Sequence, residues 1–331
     1  VPDSEQIREW TTFVNTISNG YKKSQLLFTA VKAGIFDLLE TPQDSEAVAA
    51  SLGWSERGVS LMLNGLVACG LLKKDESRYS NAPIAFATLA KKGQAYQGDI
   101  IKHNLGSWEH WSTLDERVRT GRGLASSEKR SGESLRNFIL GMANTAQLSA
   151  QAVLSTMDLS PYGHMLDLGG GPGAYSIAFT QAYPNLRATL FDRADVVEIA
   201  KEQCAAAQCL HRIDFITGDC LNDDLGTGYD FVFISNLIHS FSEADNAALL
   251  RKVYHALEPG GMLLIKDFIV ENDRSGPPFS LMFALHMLVH TEGGNTYSYD
   301  EIQAWTDEAG FEGGESIALT PQTRLWIVHK T

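Results

Sequence analysis

Asp167-Leu168-Gly169-Gly170-Gly171-Pro172-Gly173-Ala174 follows directly on the apolar residues Met165-Leu166, and a helix-forming segment, AYSIAFTQAYP (174–184), comes after it. Glycines between a strand and a helix let the backbone turn tightly and approach a ligand closely. Gly169-x-Gly171-x-x-Ala174 fits the dinucleotide fingerprint in its Gly/Ala variant. By itself that pattern also describes a tight strand–helix turn that binds nothing.

Outward from this loop, short apolar runs alternate with helix-length spacers: HMLDLG (164–169), RATLFD (187–192), IDFITGD (213–219), DFVFISNLI (230–238) and GMLLIKDFIV (261–270). Runs of that kind predict a parallel sheet buried on both faces. The segment FEGGESIALTPQTRLWIVHK (311–330) reads as strand, turn and strand with no helix between. The expected fold is therefore α/β, a Rossmann-like sheet carrying a terminal antiparallel hairpin.

The first third has a different texture. Residues 24–41 place Leu27, Val31, Ile35 and Leu38 at helical spacing until Pro42. A short helix runs from Asp44-Ser45-Glu46 to Gly53, and another from Ser55 to Gly70, with Leu61, Met62, Leu66 and Val67 on its apolar side. LLKKDESRYSNAP (71–83) then signals a hairpin. Three helices followed by a hairpin predict a mainly α, winged-helix domain. The segment in the recognition-helix position, SERGVSLMLNGLVACG (55–70), carries a single Arg. A major-groove reader needs Arg, Lys, Asn or Gln aimed at bases, so this domain is read as a dimerisation surface. The boundaries expected are 1–100 for this domain, 101–160 for connecting helices with a polar loop near 121–134, and 161–331 for the sheet domain.

Composition agrees with two globular cores. Of 331 residues 44% are hydrophobic and 20% charged, and 27 basic against 40 acidic residues give a net charge of −13. Such a balance disfavours nucleic acid as a partner. No apolar run long enough for a membrane span occurs, and VPDSEQIREW has neither a basic nor an apolar leader region. Cys69, Cys204, Cys209 and Cys220 form no CxxC pair, which reads as reduced thiols in a cytoplasmic protein.

Three acids narrow the ligand. Asp167 lies inside an apolar strand, where a buried carboxylate needs a strong partner; an amino-acid ammonium would supply one. Asp192 ends the second run, where an acid can bind both ribose hydroxyls. Gly218-Asp219-Cys220 ends the third beside the same crevice. A nicotinamide dinucleotide does not call for the third acid, whereas a nucleoside with a cationic amino-acid tail does.

With these motifs in place, the chain resembles the S-adenosylmethionine-dependent small-molecule O-methyltransferases, the two-domain type that includes caffeate and hydroxyindole enzymes and bacterial natural-product enzymes. The resemblance spans nearly the whole chain through WSTLDERVRTG (111–121), DLGGGPGAYS, LFDRADVV, ITGDC, SNLIHSFSEADNAALLRKVYHALEPGG (235–261) and EIQAWTDEAGF (301–311). It implies a homodimer, S-adenosylmethionine as cofactor, and a small, aromatic acceptor. It implies that Gly169 and Gly171 hold the methionine part, that Asp192 binds the ribose, and that Asp219 with the Cys220 backbone faces the adenine. Asp167, Gly218 and Ser235 complete the expected cofactor set. His239 falls at the catalytic base and Asp267 at the acid that orients it. The family's His-Asp-Trp is here His239-Ser240-Phe241, a frequent lysine is Ser235, and a second orienting glutamate is Thr296.

Histidine suits the base role because its ordinary pKa, about 6.5, leaves it mostly neutral near pH 7. Phe283, His286 and Met287, with Phe279 and Met282, are expected to line an acceptor pocket or else to pack as a core helix. Met142, Trp108, Trp111 and His103 are added by the resemblance. His286 and His290 share a helix face, but two ligands make an incomplete metal site, so no metal is expected. The competing readings are carbon or nitrogen methylation, or lost methyl transfer, on the same scaffold; a ligand-sensing DNA-binding regulator; and a nicotinamide-dependent oxidoreductase.

Overall fold

The computed structural model describes residues 2–123 and 131–331. The chain divides into one compact unit ending at Gly106 and a second beginning at Ser107.

The first unit opens with the helix Ser4–Lys32. Asp3 caps it, accepting from the N–H groups of Glu5 and Gln6 while the Gln6 side chain accepts from Asp3 N–H. The helix therefore starts well before residue 24, and it stops short of 41. Gly34, at φ 69°, adopts the left-handed conformation that separates it from the short turn Ile35–Leu38. The helical spacing runs back through Ile7, Trp10, Phe13, Ile17 and Tyr21, and these residues face outward: Trp10 is 66% exposed and Ile17 65%.

Helices Ser45–Leu52 and Glu56–Ala68 follow, with Asp44 and Ser55 as N-caps. Val59, Leu63 and Leu66 form the buried face of the second. Leu61, expected there, lies off that i, i+4, i+7 row and is 61% exposed. Strands β1 (Gln43–Asp44), β2 (Leu72–Asp75) and β3 (Arg78–Asn81) pair antiparallel in the order β1-β3-β2, so the expected hairpin is present.

The second unit is built on a seven-stranded sheet. Its strands are β4 (His164–Leu168), β5 (Arg187–Asp192), β6 (Ile213–Thr217), β7 (Tyr229–Ser235), β8 (Leu257–Asp267), β9 (Glu312–Ala318) and β10 (Arg324–His329). Their order is β6-β5-β4-β7-β8-β10-β9. The first five are parallel, and β10 and β9 run antiparallel at the end, as the terminal segment led one to expect.

Alternation along the strands feeds two cores. Met165, Phe231, Phe233 and Leu264 pack on one face with Phe179 and Val153. Leu166, Val232, Ile234 and Ile265 pack on the other with Leu250, Val253 and Trp305. The chain steps outward from β4 to β5 and β6, then returns to β7 on the other side of β4. The crevice beyond the carboxyl ends of β4 and β7 is thus the switch point where open α/β sheets bind ligands. Among the described residues no helix is long and apolar enough to cross a membrane. Of the polar loop expected near 121–134, residues 124–130 lie outside the described residues, and Gly132 already begins the helix Gly132–Thr156.

Candidate active site

Asp167 lies within the buried stretch of β4, between Leu166 and Leu168, at 1% exposure. Its partner is the Ser176 hydroxyl, which donates to Oδ2 at 2.6 Å. A neutral donor compensates burial only in part, and burial pushes the carboxyl up to about 6. Nothing in the spacing singled out Ser176; it comes into reach because the helix Ala174–Ala182 packs back on the strand.

The loop after Asp167 is shaped by contacts at two glycines. At Gly169, φ 70°, a Cβ would press on Leu237 at 2.9 Å. At Gly171, φ 55°, a Cβ would meet nothing within 4 Å, so this backbone borders open space. Gly171 N–H donates to Asp192 Oδ2 at 2.8 Å, and Arg193 N–H donates to Oδ1 at 2.7 Å. Burial raises the Asp192 carboxyl, and these two donors oppose the rise.

Gly218 N–H donates to the Asp192 carbonyl, joining the ends of β5 and β6. Asp219 is exposed and accepts from Leu221 N–H and Asn222 Nδ2. Cys220 is partly buried, its thiol pushed up to about 12 chiefly by burial, then by Asp219 and Asp192. Ser235 ends β7, with its hydroxyl buried beside the Tyr175 phenol but completing no hydrogen bond. These residues lie at or just beyond the carboxyl ends of the neighbouring strands β4, β5, β6 and β7.

His239 lies on the turn Ile238–Ser240 and is 8% exposed. Its Nδ1 donates to Asp267 Oδ1 at 2.7 Å. The same oxygen accepts from Phe268 N–H at 2.8 Å, while Oδ2 is buried without a partner. Burial works to raise the Asp267 carboxyl, but the adjacent His239, these bonds and Lys266 outweigh it and hold the group below the usual carboxylate range. The His239 ring meets Phe283 edge-on at 4.9 Å between centroids. Gly294 allows a close approach behind it: a Cβ there would strike the His239 carbonyl oxygen. Thr296, in the position of the second acid, donates instead to the Ser280 carbonyl at 3.2 Å.

The helix Pro278–His290 carries the rest of the pocket candidates. Phe283 and His286 stack at 5.4 Å, and His286 and His290 lie 4.3 Å apart. Trp111 Nε1–H donates to His286 Nδ1 at 3.1 Å, which places the proton of a neutral His286 on Nε2. Met287 is 6% exposed and packs inward. Phe279 and Met282, at 40% and 56%, face outward. Met142 is half-buried on the helix Gly132–Thr156. Among the described residues no group of three His, Cys, Asp or Glu side chains gathers as a metal site.

A glycine loop and acids at the carboxyl ends of neighbouring parallel strands, together with a buried histidine–aspartate pair, are the arrangement of an α/β enzyme. Comparison with known proteins makes the class specific. Residues 111–312 match the family model of the O-methyltransferase domain, and residues 15–91 match the O-methyltransferase dimerisation domain. Acetylserotonin O-methyltransferase of Bos taurus is 34% identical over 323 residues, covering 92% of this chain and 93% of that protein. The 3-hydroxy-5-methyl-1-naphthoate 3-O-methyltransferase of Streptomyces sahachiroi is 30% identical, covering 90% and 89%. The crystal structure of human N-acetylserotonin methyltransferase in complex with SAM superposes with a TM-score of 0.88 at 28% identity, covering 99% and 98%. The chain belongs to the O-methyltransferase family.

Proposed function

We propose that this enzyme transfers a methyl group from S-adenosylmethionine to a hydroxyl of a small aromatic molecule, with His239 as general base. The observation that carries the base assignment is the 2.7 Å bond from His239 Nδ1 to a carboxylate held ionised.

The residues present fit the donor. Gly171 borders open space, the Ser235 hydroxyl is buried without a completed bond, and the Asp167 carboxyl is short of charge compensation. Gly169 and Gly171 would hold the methionine part, with Asp167 toward its ammonium. Asp192 would take the ribose, and Gly218, Asp219 and Cys220 the adenine side. When bound, the donor supplies an electrophilic sulfonium methyl. Everything else falls to the chain. Asp267 fixes the tautomer of His239 with the proton on Nδ1, so Nε2 is the atom that accepts the acceptor's hydroxyl proton. Phe283 restricts how a flat acceptor meets that ring, and His286, with Met142 and Met287 nearby in the proposed pocket, shapes its far end. Much of the acceleration then comes from alignment, with the base contributing about 10²–10⁴-fold.

In this reading residues 1–100 form the pairing domain of a homodimer, 101–160 the connecting helices and 161–331 the donor-binding domain. Support for pairing comes from Ile7, Trp10, Phe13, Ile17 and Tyr21, an exposed row at helical spacing along Ser4–Lys32. Incubation with S-adenosylmethionine and a panel of hydroxylated aromatics, read by product mass, tests the activity. Transfer only to carbon or nitrogen acceptors would overturn the hydroxyl assignment. Light scattering should give twice the mass of one chain, and a monomer at every concentration would remove the pairing.

A further inference from the structure

Lys266 is a charged residue in the middle of an apolar sheet. It is 1% exposed, and among the described residues no carboxylate lies within ion-pair distance of it. Its neighbour Asp267 points to the opposite face, toward His239. Burial pushes the ammonium down to about 8, with Asp267 opposing the fall. What Lys266 does touch is Asn236: Nζ donates to Asn236 Oδ1 at 3.1 Å, and Asn236 N–H donates to the Lys266 carbonyl at 2.8 Å. The Tyr175 ring lies 6.0 Å from Nζ.

Asn236 follows β7 at the switch point and has φ 52°, a left-handed backbone uncommon outside glycine. Strain of this kind is found at ligand sites, where surrounding structure holds it. With Oδ1 taken by the ammonium, the carboxamide has one orientation, and among the described residues no acceptor engages its Nδ2 hydrogens. The crevice it borders is otherwise acidic, with Asp167, Asp192 and Asp219 around it. An amino-acid ligand brings a carboxylate as well as an ammonium, and a carboxylate in that company needs aimed N–H donors backed by positive charge.

We propose that Lys266 is a positioning residue for the acid end of the methyl donor: it clamps Asn236 by Oδ1 and so aims the Nδ2–H donors at the donor's α-carboxylate. The inference rests on the donor assignment above and adds to it the group that recognises the carboxylate. Asn236 makes the contact, and Lys266 acts through it.

Calorimetric titration with two probes decides the matter. S-Adenosylhomocysteine has the amino-acid tail, and 5′-methylthioadenosine keeps the nucleoside and sulfur without it. Lys266→Met should weaken S-adenosylhomocysteine about tenfold or more, as expected for a lost hydrogen bond to a charged group, and leave 5′-methylthioadenosine within about twofold. Asn236→Gly, which suits the left-handed backbone, should reproduce the same selective loss, and the double variant should lose no more than Asn236→Gly alone. Equal weakening of both probes, or unchanged binding of S-adenosylhomocysteine in either folded variant, overturns the proposal. A wild-type protein that binds neither probe overturns the donor assignment itself, and this inference with it.

Discussion

Asp167 and Asp267 sit near the carboxyl ends of β4 and β8, two places apart in one sheet and on opposite faces. Both are nearly out of water, at 1% and 3% exposure, and both make one short side-chain bond, to Ser176 at 2.6 Å and to His239 at 2.7 Å. Their acidities nevertheless move in opposite directions. Asp167 rises to about 6 because a hydroxyl donor does not offset the loss of water. Asp267 falls below its ordinary range because a ring able to carry positive charge, a backbone N–H and Lys266 together exceed the same penalty. Burial alone therefore does not set what a carboxyl does; the charge of its partner does. One face of the sheet has an acid whose only side-chain partner is a hydroxyl, and the other an acid bonded to a ring that can take up a proton.

The strongest way to break the comparison is to remove the imidazole partner of Asp267. His239→Ala should lower kcat by about 10²–10⁴ while donor affinity stays near wild type, because the loss falls on proton transfer. Asp267, left with Phe268 N–H and Lys266, should then move toward the acidity of Asp167. A kcat within about threefold of wild type, well short of the general-base range, would reduce His239 to a wall of the pocket.

Asp267→Asn tests the same pair from the other side. It should reduce kcat by about tenfold or more, yet less than His239→Ala, since a mis-set tautomer leaves the ring in place. Equal damage from the two substitutions would mean that Asp267 does more than orient the ring.

On the first face, Asp192→Ala should weaken S-adenosylhomocysteine by about 1–3 kcal/mol, through the lost ribose acceptor and the freed Gly171 N–H. Calorimetry reads the affinity, and kcat at saturating donor should change little.

Asp167→Asn sharpens the comparison most gently, through stability. The folded carboxyl keeps its proton up to about pH 6, whereas the ordinary value is 3.8. The native state therefore binds more protons between those values, and stability falls as pH rises through that window. Without ligand, the asparagine variant should be more stable than wild type at pH 7, by an amount on the order of 2–3 kcal/mol, and the gain should vanish below about pH 4. Thermal unfolding across that range measures it. The variant should also bind S-adenosylhomocysteine more weakly, since an amide is a poorer partner for its ammonium.

Much of this was legible in the chain itself. The five apolar runs became β4 to β8, because the strands inside the sheet are buried on both faces and must be apolar nearly throughout, while the terminal segment, whose outer strand β9 is mostly exposed, was legible from its turn between two strands. His239 and Asp267, 28 positions apart in sequence, were paired by the resemblance rather than by any local pattern. The helix Ser4–Lys32 begins well before residue 24, and the signal for that was present in the spacing of Ile7, Trp10, Phe13, Ile17 and Tyr21. Ser176 and Asn236 were missed for another reason: small polar residues have no periodicity, and their roles arise only when a helix or strand brings them against a charge. Lys266 was visible in LLIKDF as an interruption of an apolar run, and that interruption was the available signal.

The position of β10 also bears on how the protein is made. β10 is synthesised after β9 yet lies between it and β8, pairing Arg324–His329 with Met262–Asp267 on one side and with β9 on the other. As the chain leaves the ribosome, β8 is complete while its outer edge has no neighbour, and β9 has no strand to join. The edge so exposed is an apolar, extended segment, the kind that pairs with other chains. The hairpin can close onto β8 only once β10 is made, and until then the outer edge of β8 is an unpaired apolar strand.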